Sequence, residues 1–371
     1  MGDHIDYNGL SVLPMALQRR VSVLYRERDD ASVHVATTAQ AYAACEFKLS
    51  RRIKPYKAGD WGNYAKAAVQ GLLERFEIRR GFDAVVHSDI PEAAGLSSSS
   101  ALVVAFALAV LHANDHEEAE RLELAELLAE AEHYVGTRGG GMDQAICLAA
   151  RRQSASRIDF NPLRLTAHPI APEWNFIIAF SLVRAEKSGP ARETYNTRTR
   201  ECREALRRVT EALGVAEKVD SYPALMRRRR VRELLRAAEP ALDGILMHRF
   251  RHVVTEAERV NKAAEALAAY DLRGFGRLMT ASHASLRDDF EVSSPELDEL
   301  VDIATRAGAA GARLTGAGLG GCVVALCPQE RVDKVMKRLK NRFYECREYD
   351  GPLEDILFVA APSGGAEVHP V

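Results

Sequence analysis

Residues Asp3 to Ala16 read DHIDYNGLSVLPMA, and this stretch opens with two carboxylates, an imidazole and a phenol: Asp3, His4, Asp6 and Tyr7. Such a cluster can hydrogen-bond several hydroxyls of one polyol. A second segment, Pro91 to Ser100 (PEAAGLSSSS), has the make-up of an anion cradle. Gly95 permits close backbone approach, Ser97 to Ser100 supply four hydroxyls, and an apolar helix follows whose N–H groups and dipole would point at a phosphate. The plainer alternative is a serine-rich helix cap; one serine suffices for a cap, so four in a row favour the cradle. The third segment is GGGMDQ, in which Gly139, Gly140 and Gly141 would let the backbone come near a substrate while presenting the Asp143 carboxylate. The same spacing serves equally well for a turn aspartate that caps the helix QAICLAA.

Other motifs are set aside by their context. Gly316, Gly318 and Gly321 in TGAGLGG satisfy the dinucleotide pattern G-x-G-x-x-G, but that fingerprint must open a helix. Here CVVALCP follows, short, β-branched and ended by proline, and reads as a strand. A glycine loop pressed against a ligand or a neighbouring loop is the better reading, and a nicotinamide enzyme is not expected. No G-x-x-x-x-G-K-[ST] occurs. His112/His116 and His248/His252 have i, i+4 spacing without the Glu of H-E-x-x-H, and read as exposed helix or loop histidines.

The elements that must carry these segments are short strands and amphipathic helices. SVLYRERD and SVHVATTA read as strands of a partly exposed sheet, a helix starts near Trp61, and FDAVVHSDI is a further strand. The apolar run ALVVAFALAVLHA and then ELAELLAEAEHYVG read as helices, and this α+β half ends near Pro162. The second half opens with the strand NFIIAFSLV and turns mainly helical to about residue 310, with amphipathic runs such as FRHVVTEAERVNKAAEALAAY. The strand CVVALCP and a final strand, FVAAPSGGAEVHPV, complete it.

Composition bounds the function. At 371 residues the chain exceeds one ordinary core, so two domains sharing a cleft are expected. Hydrophobic residues at 47% supply that core, and a formal net charge of −2 argues against a nucleic-acid or polyanion binder. The run Arg227 to Arg230 continues as VRELLRAAEP and reads as a solvated helix face. Cysteines at 45, 147, 202, 322, 327 and 346 form no C-x-x-C pair or zinc spacing, which fits reduced thiols in the cytoplasm. No apolar run reaches ~18 residues, so neither a signal peptide nor a membrane span is expected.

Taken together, these segments resemble the galactokinase branch of the GHMP kinase superfamily over nearly the whole chain. DHIDYNGLSVLPMA resembles the galactose-binding signature, AAGLSSSSAL the ATP-phosphate loop, and RLTGAGLGGCVV the third superfamily motif. Residues 251–260 (RHVVTEAERV) and 279–301 (MTASHASLRDDFEVSSPELDELV) are similar to galactokinase-specific segments. The resemblance implies a two-domain α+β fold with the active site in the cleft: an N-terminal domain at 1–165, a C-terminal domain at 166–350 and a closing strand in 351–371. It implies ATP- and magnesium-dependent phosphoryl transfer to the anomeric hydroxyl of a galactose-type sugar, with Asp143 as base. Asp3, His4, Asp6, Gly140 and Tyr195 would hold the sugar, and Gly95, Leu96, Ser97, Ser98 and Ser99 would wrap the phosphates. Ser99 and Glu132 would bind magnesium, although Glu132 reads equally as a solvated helix glutamate.

The chain also departs from the family. Asp3 stands where relatives carry a glutamate, one methylene longer. The Gly-Arg-Val-Asn-Leu-Ile approach to the sugar loop has no counterpart, so the chain reads as N-terminally truncated, with a sheet edge left open. SSSSAL and GTRGGGMDQ lean towards N-acetylgalactosamine, SLRDDFEV towards galactose. An N-acetylgalactosamine or other sugar kinase of the family, or a sugar- and ATP-binding sensor with impaired catalysis, are the alternatives. Small-molecule sugar and ATP are the expected partners, with a monomer the favoured state.

Overall fold

The computed structural model describes residues 1–136, 139–185 and 190–370, with side chains described at all of these except 190–192. The first half contains β1 (Val21–Glu27), β2 (Ser32–Thr37), β3 (Cys45–Lys48), α1 (Gly62–Leu72), β4 (Phe82–Ser88), α2 (Ser98–His112), α3 (Arg121–Ala131) and α4 (Met142–Ala149). Its sheet has the order β1-β4-β2-β3, with β4 antiparallel to β1 and parallel to β2. The alternation in SVHVAT sets the register: Val33 and Val35 are buried, whereas His34 between them is exposed. Helix α2 has no polar face over VVAFALAVL and is accordingly interior, with Val103, Val104, Phe106 and Val110 buried beside Phe82 of the sheet. At the open edge of β1 lies a cavity of about 560 Å³, walled by apolar groups that include Val23, Val104, Leu108 and Phe176.

The antiparallel pair β5 (Ser154–Asp159) and β6 (Arg164–Pro169) follows. The expected boundary at 165/166 falls within β6. The opening segment pairs with the same hairpin, since Val12 N–H and Ile158 C=O lie 3.0 Å apart. The second half holds β7 (Trp174–Phe180), the helices α5 (Pro190–Ala212), α6 (Tyr222–Met226), α7 (Val231–Ala238), α8 (Gly244–Ala268), α9 (Leu272–Asp288) and α10 (Pro295–Ala307), then β8 (Gly311–Leu314), β9 (Cys322–Pro328), α11 (Val332–Leu339), α12 (Leu353–Ile356) and β10 (Leu357–Ala360). Its sheet, β10-β7-β9-β8, is antiparallel throughout. The segment read as a long final strand is shorter than expected. It forms only β10, and beyond Pro362 the tail returns to the first half, where Ala366 N–H donates to the Cys147 carbonyl at 2.7 Å.

Three features of this fold position the site. The glycine loop is the hairpin connection between β8 and β9, which keeps the strand reading of CVVALCP and leaves no helix for a dinucleotide. Helices α2 and α4 both begin at glycine- or serine-rich turns. Helices α8 and α9 pack side by side beneath the opening loop. No helix among the described residues is long and apolar enough to cross a membrane, and all six cysteines are free.

Candidate active site

One crevice is lined by the opening loop (Asp3, His4, Asp6), the serine loop (Gly95, Ser97), the Gly139–Asp143 turn, Tyr195 of α5 and the glycine loop from Gly316 to Leu319. The segments that carry chemistry in the sequence thus converge. Thr137 and Arg138 of the GTRGGG stretch lie outside the described residues.

The opening loop is held in a specific shape. His4 sits in the left-handed region at φ +65°, a conformation uncommon for a side-chain-bearing residue. Its Nε2 lies 3.1 Å from the Ala317 carbonyl and its Nδ1 3.1 Å from the Tyr7 hydroxyl. A carbonyl can only accept, so Nε2 carries the proton and Nδ1 accepts from Tyr7. Burial holds the His4 pKa down to about 4, which keeps this arrangement neutral. The His4 ring packs on Tyr195 and Phe290, with centroids at 5.5 and 4.8 Å. Asp3 turns into the protein: Oδ1 accepts from Gly316 N–H at 2.9 Å and Oδ2 pairs with Arg313 at 2.5 Å.

The serine loop enters α2 without a serine cap. Ser97, the N-cap, lies at φ +57° and makes no side-chain cap bond. The first N–H groups of α2 are therefore aimed outward with the helix dipole behind them, as an anion cradle requires. Gly95 packs against the glycine loop: a Cβ on Gly316, at φ +79°, would stand 2.5 Å from the Gly95 carbonyl oxygen. Only glycine permits that approach.

Asp143 occupies the first turn of α4, whose N-cap is Gly141 at φ +93°. It is therefore not the capping residue. Asp6 faces it across the crevice and accepts Gly140 N–H at 3.0 Å. Burial, and after it the charge of Asp143, push the Asp6 pKa up to about 6. A carboxyl raised in this way, next to a second carboxylate, marks a place suited to a bound hydroxyl. Tyr195 is held protonated well above its usual range, by burial first and then by Asp6 and Asp143.

Glu132 is buried, 4% exposed, so the reading of a solvated helix glutamate does not hold. Its Oε1 accepts from Ser100, not Ser99, at 2.6 Å. Adjacent residues on a helix diverge by about 100°, so only one of the two hydroxyls can meet this carboxylate. Ser98 and Ser99 remain half-buried at the start of α2. Among the described residues no group of three or more His, Cys, Asp and Glu assembles as a cage. One carboxylate beside hydroxyls fits magnesium, which keeps waters and substrate phosphates in its shell.

Beneath the loops lies a buried polar network that the sequence did not reveal. Glu256 accepts from Gly2 N–H at 2.9 Å, from the Ser282 hydroxyl at 2.8 Å and from Arg259 at 2.7 Å. His252, expected at an exposed helix face, is fully buried, with Nε2 3.2 Å from the Asp3 carbonyl and Nδ1 3.0 Å from the Ser285 hydroxyl. His283 accepts from Leu314 N–H at 3.3 Å, where β8 leads into the glycine loop. Periodicity places charged residues outside by default, and nothing local marks these as interior. Their one sequence signal is membership in 251–260 and 279–301.

Comparison with known proteins gives three family matches: the GHMP kinases N terminal domain over residues 63–151, the GHMP kinases C terminal domain over residues 263–345, and the galactokinase galactose-binding signature over residues 1–27. The chain is similar to the crystal structure of Lactococcus lactis galactokinase complexed with galactose, at 30% identity and a TM-score of 0.86, covering 98% of this chain and 91% of that one. A mevalonate kinase structure matches at 21% identity and a TM-score of 0.64, covering 97% of this chain and 95% of that one. A D-glycero-D-manno-heptose 1-phosphate kinase from Bacteriodes thetaiotaomicron matches at 14% identity and a TM-score of 0.58, covering 100% and 94%. These last two likenesses concern the fold alone.

Proposed function

Because this chain belongs to the GHMP kinases and is a galactokinase-like sugar kinase, we propose that it transfers the γ-phosphoryl group of ATP to the anomeric hydroxyl of galactose, with Asp143 as the base. The observation that carries this reading is the placement of Asp143 and Asp6 in the crevice that the serine loop also lines. A sugar hydroxyl there has a carboxylate to receive its proton, while the nucleotide's phosphates meet the start of α2.

Asp143 accepts the proton of the anomeric hydroxyl; the hydroxyl oxygen forms a bond to the γ-phosphorus, the bond to the bridging oxygen breaks, and ADP leaves. Asp6, Gly140 and Tyr195 orient the sugar, and His4 supports Tyr195 from behind. The backbone from Gly95 through Leu96, Ser97 and Ser98 to Ser99 receives the phosphates. Glu132, with Ser99 or Ser100, would hold a magnesium ion, which when bound neutralises charge building on the phosphate oxygens. The six free thiols suit a reducing cytoplasm.

The test is ADP release from ATP with galactose, N-acetylgalactosamine or talose, on the wild-type chain and on Asp143→Asn. Galactose turnover is expected, with the variant lowered by about 10²–10⁴-fold while galactose and nucleotide still raise its melting temperature. Absence of turnover on every sugar, or a variant as fast as wild type, overturns the assignment. Turnover confined to N-acetylgalactosamine would move the substrate to that sugar. Ligand stabilisation without phosphoryl transfer would instead mark a sensor.

A further inference from the structure

The geometry points to Asp3 as a positioning residue that couples the sugar loop to the nucleotide side of the crevice, rather than as a ligand of a sugar hydroxyl. This inference rests on the kinase reading above, and concerns how the two halves of that site communicate.

Asp3 is 5% exposed and both carboxylate oxygens are committed within the protein, one to Gly316 N–H and one to Arg313. Its own carbonyl accepts from His252. The side chain therefore has little left to offer a ligand in the crevice. What it does hold is the glycine loop, 313 residues away in sequence. His4 adds a second rung to the same loop through Ala317.

The glycine loop in turn rests on the serine loop with no spare room. A Cβ on Gly95 would meet the Thr315 carbonyl oxygen at 3.0 Å, and one on Gly321 would meet that of Ala94 at 3.0 Å. Sugar loop, glycine loop and serine loop are thus one packed stack. A shift of the opening loop on binding a sugar is transmitted through Asp3 and Gly316 to the backbone that receives phosphate. Close-packed layers pass on displacement rather than absorb it. The aspartate side chain reaches the Gly316 N–H and Arg313 together while remaining inside. Burial opposes ionisation of Asp3, but the Arg313 guanidinium and the amino terminus together outweigh it and keep the carboxyl below its usual range.

The experiment is a binding cycle. Galactose affinity is measured by calorimetry with and without a non-hydrolysable ATP analogue plus magnesium, on wild type, Asp3→Ala and Asp3→Glu. In wild type the analogue is expected to tighten galactose by at least about fivefold, the lower end of ordinary coupling. In Asp3→Ala that ratio falls to about one, and Asp3→Glu, which can still accept from Gly316 and pair with Arg313, restores it. If Asp3→Ala does not fold, Asp3→Leu, closer to the aspartate in volume but with no acceptor for Gly316 N–H and no ion pair, carries the same test.

A wild-type ratio of one, or an undiminished ratio in Asp3→Ala, overturns the proposal. So does an affinity lost equally with and without nucleotide, because a direct sugar ligand behaves that way. A wild-type chain that binds neither galactose nor nucleotide would instead bring down the kinase reading, so the two failures are distinct.

Discussion

Substituting Gly140 by alanine tests whether the triple-glycine turn sets the distance between Asp143, the proposed base, and the opening loop at Asp6 and Tyr7. A Cβ at Gly140 would lie 2.3 Å from the Asp6 carbonyl carbon and 2.4 Å from the Tyr7 nitrogen. Both are backbone atoms, so no rotamer change can relieve the clash. Non-bonded carbon atoms sit comfortably at about 3.5–4.0 Å, so the two loops must part by roughly 1 Å. Overpacking of this kind costs about 1–3 kcal/mol. Parting the loops also stretches the Gly140 N–H bond to Asp6, now 3.0 Å, and a hydrogen bond to a charged group contributes about 1.5–3 kcal/mol. A displacement near 1 Å at a reacting centre lowers rate by on the order of 10²-fold. Coupled ADP-release kinetics and a thermal melt on Gly140→Ala should therefore show kcat/KM for galactose down by about 10²-fold with a lower melting temperature. Gly139→Ala is the internal control, because nothing lies within 4 Å of its added methyl; stability there should stay within about 0.5 kcal/mol of wild type. A Gly140→Ala enzyme within about threefold of wild type would refute the argument that this glycine spaces the loops.

Two further outcomes follow from the electrostatics of the crevice. Because the Asp6 pKa is raised to about 6 in the folded chain, its contribution to stability is present below the unfolded value of about 3.9 and is lost as pH rises through 6. Asp6→Asn should thus gain on wild type in melting temperature between about pH 4 and 7, and Asp143→Asn should move the wild-type inflection to lower pH by removing a like charge; parallel melting curves across that range would refute the shift. Glu132→Gln should raise the magnesium concentration needed for half-maximal activity by about 10–100-fold while leaving the galactose-induced melting shift intact. An unchanged magnesium requirement would remove Glu132 from that role.

Residue order alone located the three loops, because their chemistry is local: a serine run before an apolar helix, glycines before one acid, an acid–imidazole cluster. It likewise fixed the strand after the glycine loop, since β-branched residues ended by proline leave no other choice. The sheet and helix assignments succeeded where the pattern was unambiguous, as in the alternation of SVHVAT and the long unbroken apolar run of α2, and faltered at β10, where Pro362 and the paired glycines end the strand early.

Tertiary structure decided the rest, because burial of a polar side chain depends on partners far away along the chain. Ser100 rather than Ser99 meets Glu132 because of helical phase between α2 and the turn after α3. His252 and Glu256 look like surface residues of a polar helix until α8 is packed beneath Gly2 and Asp3, whose backbone groups supply what their burial requires. Asp3 shows the limit most clearly: its position advertises a sugar ligand, yet its two oxygens are claimed by Arg313 and Gly316. Spacing reveals which groups can reach a common ligand, whereas only the folded chain determines which of them are already paired with each other.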